Sequence, residues 1–307
     1  MGNNLNDKYL DAIKFCEGKG VSSRFAQLYP FTTENIMGYI DKFDLNEKSL
    51  LTVGSSCDQA INASMSGCMD VTIVDICPFT KYYFYLKKSA LLTLSYEEFQ
   101  NYFCYKNFPR TFQDNQDVFN REIFFKLRNT LKELDYASYY FWNDLYRCNK
   151  PLSIRERIFS YDEEKIRILK GMNLYLQNEI KYNECKKTIE NFEPKIIKND
   201  IFKEDFDRTF DNIWLSNLPQ YLNHQQFKKL VENMIKILND DGKLLMCYLY
   251  QTQIDTKYYS DYAPIYNLKE TYQTLKDYLI ELESFIGVYG ILHETESKKD
   301  SILVYKK

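Results

Sequence analysis

Apolar residues follow two rhythms along this chain: short unbroken runs, and spacings of three and four. Residues 50–53 form a short apolar run with no helical period, stopped by Gly54. The turn Gly54-Ser55-Ser56-Cys57-Asp58 consists of small side chains and leads into a helix over 59–66. Gly67 closes that helix where a left-handed cap is usual. A second apolar run over 71–74 ends at Asp75. A strand, a small-residue turn onto a helix N-terminus, and an acid about 20 residues later is how α/β proteins bind nucleosides. The acid accepts hydrogen bonds from ribose hydroxyls, and backbone N–H groups of the turn face the polar part of the ligand.

Around this unit the spacings predict further elements. A helix over 6–17 carries Tyr9, Leu10, Ile13 and Cys16 on one side, and Gly18 and Gly20 end it. Residues 22–35 mix polar and aromatic types, which suits a segment folded over a ligand or one that covers a sheet. A helix through Ile36, Tyr39 and Ile40 follows. Pro78 suits the first turn of a helix running to about residue 94, with Phe79, Tyr82, Tyr83, Leu86 and Ala90 on one side. Ser95-Tyr96-Glu97-Glu98 and Ser160-Tyr161-Asp162-Glu163 are capping boxes. The second opens a long helix through Ile166, Leu169, Met172, Leu176 and Ile180. Residues 95–192 read as helical throughout, a large insertion between two strands of the core. Its cluster Tyr139-Tyr140-Phe141-Trp142 reads as packing, with an acceptor site as the alternative.

Strands resume at 195–198, before Asn199-Asp200-Ile201-Phe202, and at Phe210 onward, ending in the polar turn Ser216-Asn217-Leu218-Pro219-Gln220-Tyr221. Asn223-His224-Gln225-Gln226 caps a helix with Phe227, Leu230, Met234, Ile237 and Leu238 inward. Asp240-Asp241-Gly242 turns into a strand over 243–249. Strands over 284–292 and 301–305, joined by the polar turn 293–300, favour an antiparallel pair.

Composition narrows the function classes. At 307 residues the chain can bury one sizeable core, or one core with a large insertion. With 40 basic against 43 acidic side chains and no basic block, nothing points to a nucleic-acid surface. No apolar stretch reaches membrane-spanning length, and the first residues lack a signal-peptide core. The eight cysteines show no C-x-x-C pair, which fits reduced thiols in a cytoplasmic protein. Two histidines, His224 and His293, do not build a metal site. The wealth of tyrosine and phenylalanine reads as the mark of a biased, AT-rich coding source, with an aromatic-lined pocket as the alternative.

The element order resembles the class I S-adenosylmethionine-dependent methyltransferase fold. The matching residues are Val53-Gly54-Ser55-Ser56 in the first loop, Asp75 as the ribose acid and Asn199-Asp200-Ile201 at the adenine contact. Leu238-Asn239-Asp240-Asp241-Gly242-Lys243-Leu244-Leu245 matches the turn into strand five. More narrowly, 51–60, 74–78 and 94–99, with Ser216-Asn217, look like relatives of the betaine-lipid enzyme that moves the 3-amino-3-carboxypropyl group of S-adenosylmethionine. The resemblance implies a Rossmann-like α/β fold with a mostly parallel seven-stranded sheet and an antiparallel last strand. It divides one S-adenosylmethionine-binding domain into a leading helical segment 1–45, a core of 46–94 and 193–307, and the helical insertion 95–192.

It also implies a transferase of methyl or aminocarboxypropyl groups, acting on an unidentified small-molecule or lipid-derived acceptor. S-adenosylmethionine would be held by Gly54, Ser55, Ser56, Asp58, Gln59, Asp75, Ile76, Asp200, Ile201, Ser216 and Asn217. Asn217, Tyr221 and His224 are the candidates for acceptor contact or proton removal. The first loop departs from the usual pattern by keeping only Gly54 among its expected glycines. Two alternatives use the same residues: a chain of this fold that has lost chemistry and serves as a binding or scaffold subunit, and a nicotinamide-dependent dehydrogenase. The missing glycines and the terminal antiparallel strands count against the latter.

Overall fold

The computed structural model describes residues 30–32, 34–54, 56–103, 121–148, 171–218, 222, 224–247, 281–285 and 300–307. Among the described residues, seven strands form one sheet: β1 (Ser49–Val53), β2 (Asp70–Asp75), β3 (Lys195–Lys198), β4 (Phe210–Trp214), β5 (Leu238–Met246), β6 (Glu281–Phe285) and β7 (Asp300–Lys306). Their spatial order is β3-β2-β1-β4-β5-β7-β6. Strands β1 to β5 pair in parallel, and β7 runs antiparallel to both β5 and β6. The Rossmann-like sheet with a reversed last strand is therefore present.

Apolar runs form these strands because both faces of the sheet are covered. Leu50 and Leu51 point to opposite faces of β1, yet both are fully buried. One face packs against α1 (Asp58–Met65), α2 (Thr80–Thr93) and helices between α2 and β3: α3 (Tyr96–Phe103), α4 (Arg121–Leu134), α5 (Tyr136–Cys148) and α6 (Glu179–Glu190). The other face packs against α7 (His224–Lys236), whose Phe227, Leu230, Val231 and Met234 are all buried. Helix α2 is apolar on most of its surface because the sheet lies on one side and α5 on the other. Tyr82 stacks on Phe141 with centroids 4.7 Å apart, and the Trp142 indole donates to the Tyr82 carbonyl at 2.8 Å. Burying each such ring stabilises the fold by about 1.5–3 kcal/mol.

From β1 the chain steps outward to β2 and β3, then crosses to β4 and β5 on the other side of β1. This reversal between β1 and β4 opens a crevice beyond the C-terminal ends of those strands, where open α/β sheets take ligands.

Several expected elements differ. The helix through Ile36, Tyr39 and Ile40 is two 3-10 turns, Ile36–Gly38 and Ile40–Lys42, although all three side chains are buried. The long helix through Leu176 and Ile180 is broken. Asn62 accepts from the Leu174 backbone N–H and donates to Asn173, which holds a 3-10 turn at Leu174–Leu176. Asn178 then caps α6 by accepting from the Lys181 N–H, and Ile180 lies 71 % exposed rather than inward. Helix α2 begins at Thr80, with Pro78 ahead of it, and Leu238 already belongs to β5. The capping box at Ser95 forms as expected: Glu98 N–H donates to Ser95 Oγ at 3.1 Å, and Ser95 N–H to Glu98 at 3.0 Å. Strand β6 starts at Glu281, ahead of the expected 284. The helix over 6–17, the capping box at Ser160 and residues 286–299 of the last hairpin lie outside the described residues. Among the described residues of 95–192, every regular element is helical.

Candidate functional site

The βαβ unit places its two key positions against each other. Gly54 follows β1 and Asp75 ends β2, and a Cβ at Gly54 would overlap Asp75 Oδ2 and Thr80 Cγ2 and sit 2.9 Å from Asp75 Cβ. The close approach explains the one glycine that this loop keeps. Asp75 Oδ1 accepts from the Cys77 N–H at 2.9 Å and Oδ2 from the Thr80 hydroxyl at 2.8 Å, which fixes the carboxylate while leaving it half-buried at the sheet edge. Ile76 beside it exposes an apolar face. The Asn199 N–H donates to the Asp75 carbonyl at 3.0 Å, tying the end of β3 to the end of β2. Asp200 therefore stands on the same edge. It is partly exposed, with Oδ1 accepting from the Phe202 N–H at 3.1 Å, and Ile201 packs beneath.

The turn between Gly54 and α1 spends its backbone donors locally. Cys57 takes a left-handed conformation, φ 63°, and its N–H donates to the Gly54 carbonyl at 2.9 Å. The Asp58 N–H faces Ser56 Oγ at 3.4 Å. Ser55 lies outside the described residues.

Asp58 is held by buried partners, two of them on the helical side. Its Oδ1 accepts from Lys87 Nζ at 2.6 Å and from the Tyr175 hydroxyl at 2.7 Å, and its Oδ2 from the Thr32 N–H at 2.6 Å. Both charged side chains are fully buried. Lys87 is further held by the Ser56 carbonyl at 2.9 Å and faces the rings of Phe31 and Tyr83. Burial, and after it the Asp58 charge, raises the Tyr175 pKa and keeps the hydroxyl a donor. A ligand role proposed for Asp58 from sequence has to contend with these internal partners.

Ser216 and Gln59 meet through a residue that the sequence patterns did not single out, Glu34. Ser216 follows β4 in a left-handed conformation, φ 53°, and its carbonyl accepts from the Cys247 N–H after β5 at 2.9 Å. Its hydroxyl donates to Glu34 Oε1, and the Tyr39 hydroxyl donates to Oε2 at 3.0 Å. Gln59 and the Cys247 thiol are further donors to this carboxylate. Glu34 is 2 % exposed, and burial raises its pKa above the ordinary 4.5 despite those hydrogen bonds. One signal could have found it: Glu34 is the one acid between Glu17 and Asp41.

Asn217 lies half-buried beside Ser216, with no side-chain hydrogen bond among the described residues. Tyr221 lies outside the described residues, and His224 is the first residue of α7. Among the described residues, no cluster of histidine, cysteine and carboxylate side chains could hold a metal. No helix among them is long and apolar enough to cross a membrane. Cys57, Cys68, Cys77, Cys185 and Cys247 are free thiols, and burial raises the pKa of the first four.

No protein-family model matches the chain, and no curated protein matches it. Among solved structures, it superposes on the N-methyltransferase NodS from Bradyrhizobium japonicum WM9 with a TM-score of 0.39 and 9% identity, covering 88% of this chain and 93% of that one. Magnesium protoporphyrin IX methyltransferase ChlM from Synechocystis PCC 6803, with bound S-adenosylhomocysteine, gives 0.37 and 8%, over 99% and 95%. TehB from Haemophilus influenzae gives 0.27 and 20%, over 45% and 54%. None of the three is described as moving an aminocarboxypropyl group. Likenesses this distant leave the strand order to define the fold, and the residues themselves to define the site.

Proposed function

We propose that the crevice beyond β1, β2 and β4 binds S-adenosylmethionine and that the protein transfers a group from it to a small-molecule acceptor. The observation that carries this reading is the joint placement of Gly54, Asp75 and Asp200 on one sheet edge, with Ser216 and Asn217 across the switch point. The residues fit the group in two respects. A Cβ at Gly54 would fill space that Asp75 occupies, so the loop leaves the carboxylate at the mouth of the crevice. Gln59 Oε1 is a buried acceptor with no hydrogen-bond partner among the described residues.

In this reading Asp75 accepts from the ribose hydroxyls, Ile76 and Ile201 flank the base, and Asp200 accepts from its amino group. Asn217 faces the acceptor side, and Tyr221 and His224 are candidates for contact or proton removal there. Bound S-adenosylmethionine supplies an electrophilic carbon with a good thioether leaving group. The chain's own task is to orient the acceptor in line with that carbon and keep water out. That demand is met without a triad or a metal.

Methyl transfer and aminocarboxypropyl transfer attack different carbons and leave different products. Incubation with S-adenosylmethionine and cell extract, read by mass spectrometry, separates them: S-adenosylhomocysteine accumulates in the first case and methylthioadenosine in the second. Calorimetry tests the binding itself. We expect S-adenosylhomocysteine to bind, and Asp75→Ala to lose about tenfold or more in affinity while staying folded. Unchanged affinity in that variant would remove Asp75 from the site. No heat with either S-adenosylmethionine or its products would favour the scaffold alternative.

A further inference from the structure

Glu34 and Gln59 together have a chemical bias that a purely structural clamp does not need. Gln59 Nε2 has two hydrogens. Nε2 donates to Thr32 Oγ1 at 3.5 Å, and the amide also acts as a donor that lowers the pKa of the neighbouring Glu34 carboxyl. This fixes the amide orientation, because the flipped form would set an oxygen against a carboxylate. Gln59 Oε1 is thereby left as an acceptor with no partner among the described residues, on a side chain only 1 % exposed. Beside it, Glu34 receives hydrogen bonds from Ser216, Tyr39, Gln59 and Cys247, all uncharged donors. No lysine or arginine among the described residues forms an ion pair with it. A buried carboxylate without a cation, next to an acceptor without a donor, lacks one thing: a positively charged group with several N–H bonds.

Its location gives that group a source. Gln59 follows β1, Ser216 follows β4 and Cys247 follows β5, so Glu34 bridges the loops on both sides of the switch point. We propose that Glu34 and Gln59 Oε1 form a subsite for the ammonium group of a ligand bound in this crevice. This rests on the function proposed above for the source of the ammonium, which is either the amino-acid tail of the donor or an amine acceptor. In both cases the ammonium donates one N–H to Gln59 Oε1 and lies against the Glu34 carboxylate, supplying the missing charge.

Calorimetry with three probes tests it: S-adenosylhomocysteine, its deaminated analogue, and propylammonium added to the S-adenosylhomocysteine complex. If the ammonium belongs to the donor, the wild-type protein binds S-adenosylhomocysteine about tenfold or more tighter than the deaminated analogue, and Glu34→Gln brings that ratio to about one. If it belongs to an acceptor, the wild-type ratio is already about one. Propylammonium then binds the complex and fails to bind its Glu34→Gln form. Gln59→Leu provides a second variant should Glu34→Gln not fold. It removes an unpaired acceptor, so its thermal midpoint should not fall while its ammonium discrimination does. A ratio of about one together with no propylammonium binding overturns the subsite. Failure of S-adenosylhomocysteine to bind at all counts against the nucleoside reading instead. Propylammonium added to the protein alone then decides the subsite by the same loss in Glu34→Gln.

Discussion

Asp58 and Glu34 are two buried carboxylates on either side of the start of α1, and their surroundings differ in one ingredient. Asp58 has a lysine: Lys87 Nζ lies 2.6 Å away, with the Tyr175 hydroxyl and the Thr32 N–H as further donors. Glu34 has four uncharged donors and, among the described residues, no cation. Taking a carboxylate out of water costs several kcal/mol unless charge and hydrogen bonds are returned to it. At Asp58 both are returned by the fold. At Glu34 only the hydrogen bonds are, and burial holds its carboxyl above the usual range. The first arrangement is complete without a ligand and joins the turn after Gly54 to the helical layer. The second holds its carboxyl above the ordinary range, and in the subsite proposed above a ligand's ammonium supplies the charge.

The largest test of this contrast removes the lysine. Lys87→Met leaves Asp58, like Glu34, with uncharged donors alone, and should cost about 3–5 kcal/mol in chemical denaturation. A loss well below that would mean that the two sites differ less than their partners imply. Tyr175→Phe keeps the ion pair and removes one donor, so it should cost less, about 1.5–3 kcal/mol by the same measurement.

The smallest effect concerns pH. Glu34 is raised above 4.5 on folding, so its contribution to stability is fully present below that value and is lost as pH rises through the folded pKa. Glu34→Gln holds the site neutral. Between pH 4.5 and neutrality, denaturation midpoints of the variant should therefore decline less than those of the wild type. Near neutrality the variant should be no less stable. Parallel curves for the two proteins would place the buried charge elsewhere.

The βαβ unit was legible in the sequence because each of its signals is local. Val53, Gly54 and Asp75 lie within one strand–turn–helix–strand stretch, and Gly67 takes the expected left-handed conformation, φ 91°. The capping box at Ser95 was legible for the same reason. Glu34 was not, because its partners Gln59 and Ser216 lie 25 and 182 positions further along the chain. The inward placement expected of Ile180 failed because a tertiary contact, Asn62 with Asn173 and Leu174, overrides the helical period. Asp58 was expected to hold the cofactor as part of the turn after Gly54 that the resemblance covers, and nothing near it in sequence announces Lys87 or Tyr175. Periodicity reports which face of an element is buried. It does not report which distant polar group will meet it there.

The chain's two tryptophans are both fully buried in one core cluster, one on a helix and one at the end of a strand. Trp142 packs in the helical layer against Tyr82 and Phe141. Trp214 ends β4, edge-on to Tyr39 at 5.5 Å, and Tyr39 is itself a donor to Glu34. The molecule therefore carries one intrinsic fluorophore on the helical insertion and another beside the Glu34 carboxylate's donor. Silencing either indole by substitution with phenylalanine turns ordinary emission spectra into an optical label for the other: Trp214 for events at the crevice, Trp142 for the integrity of the helices around it.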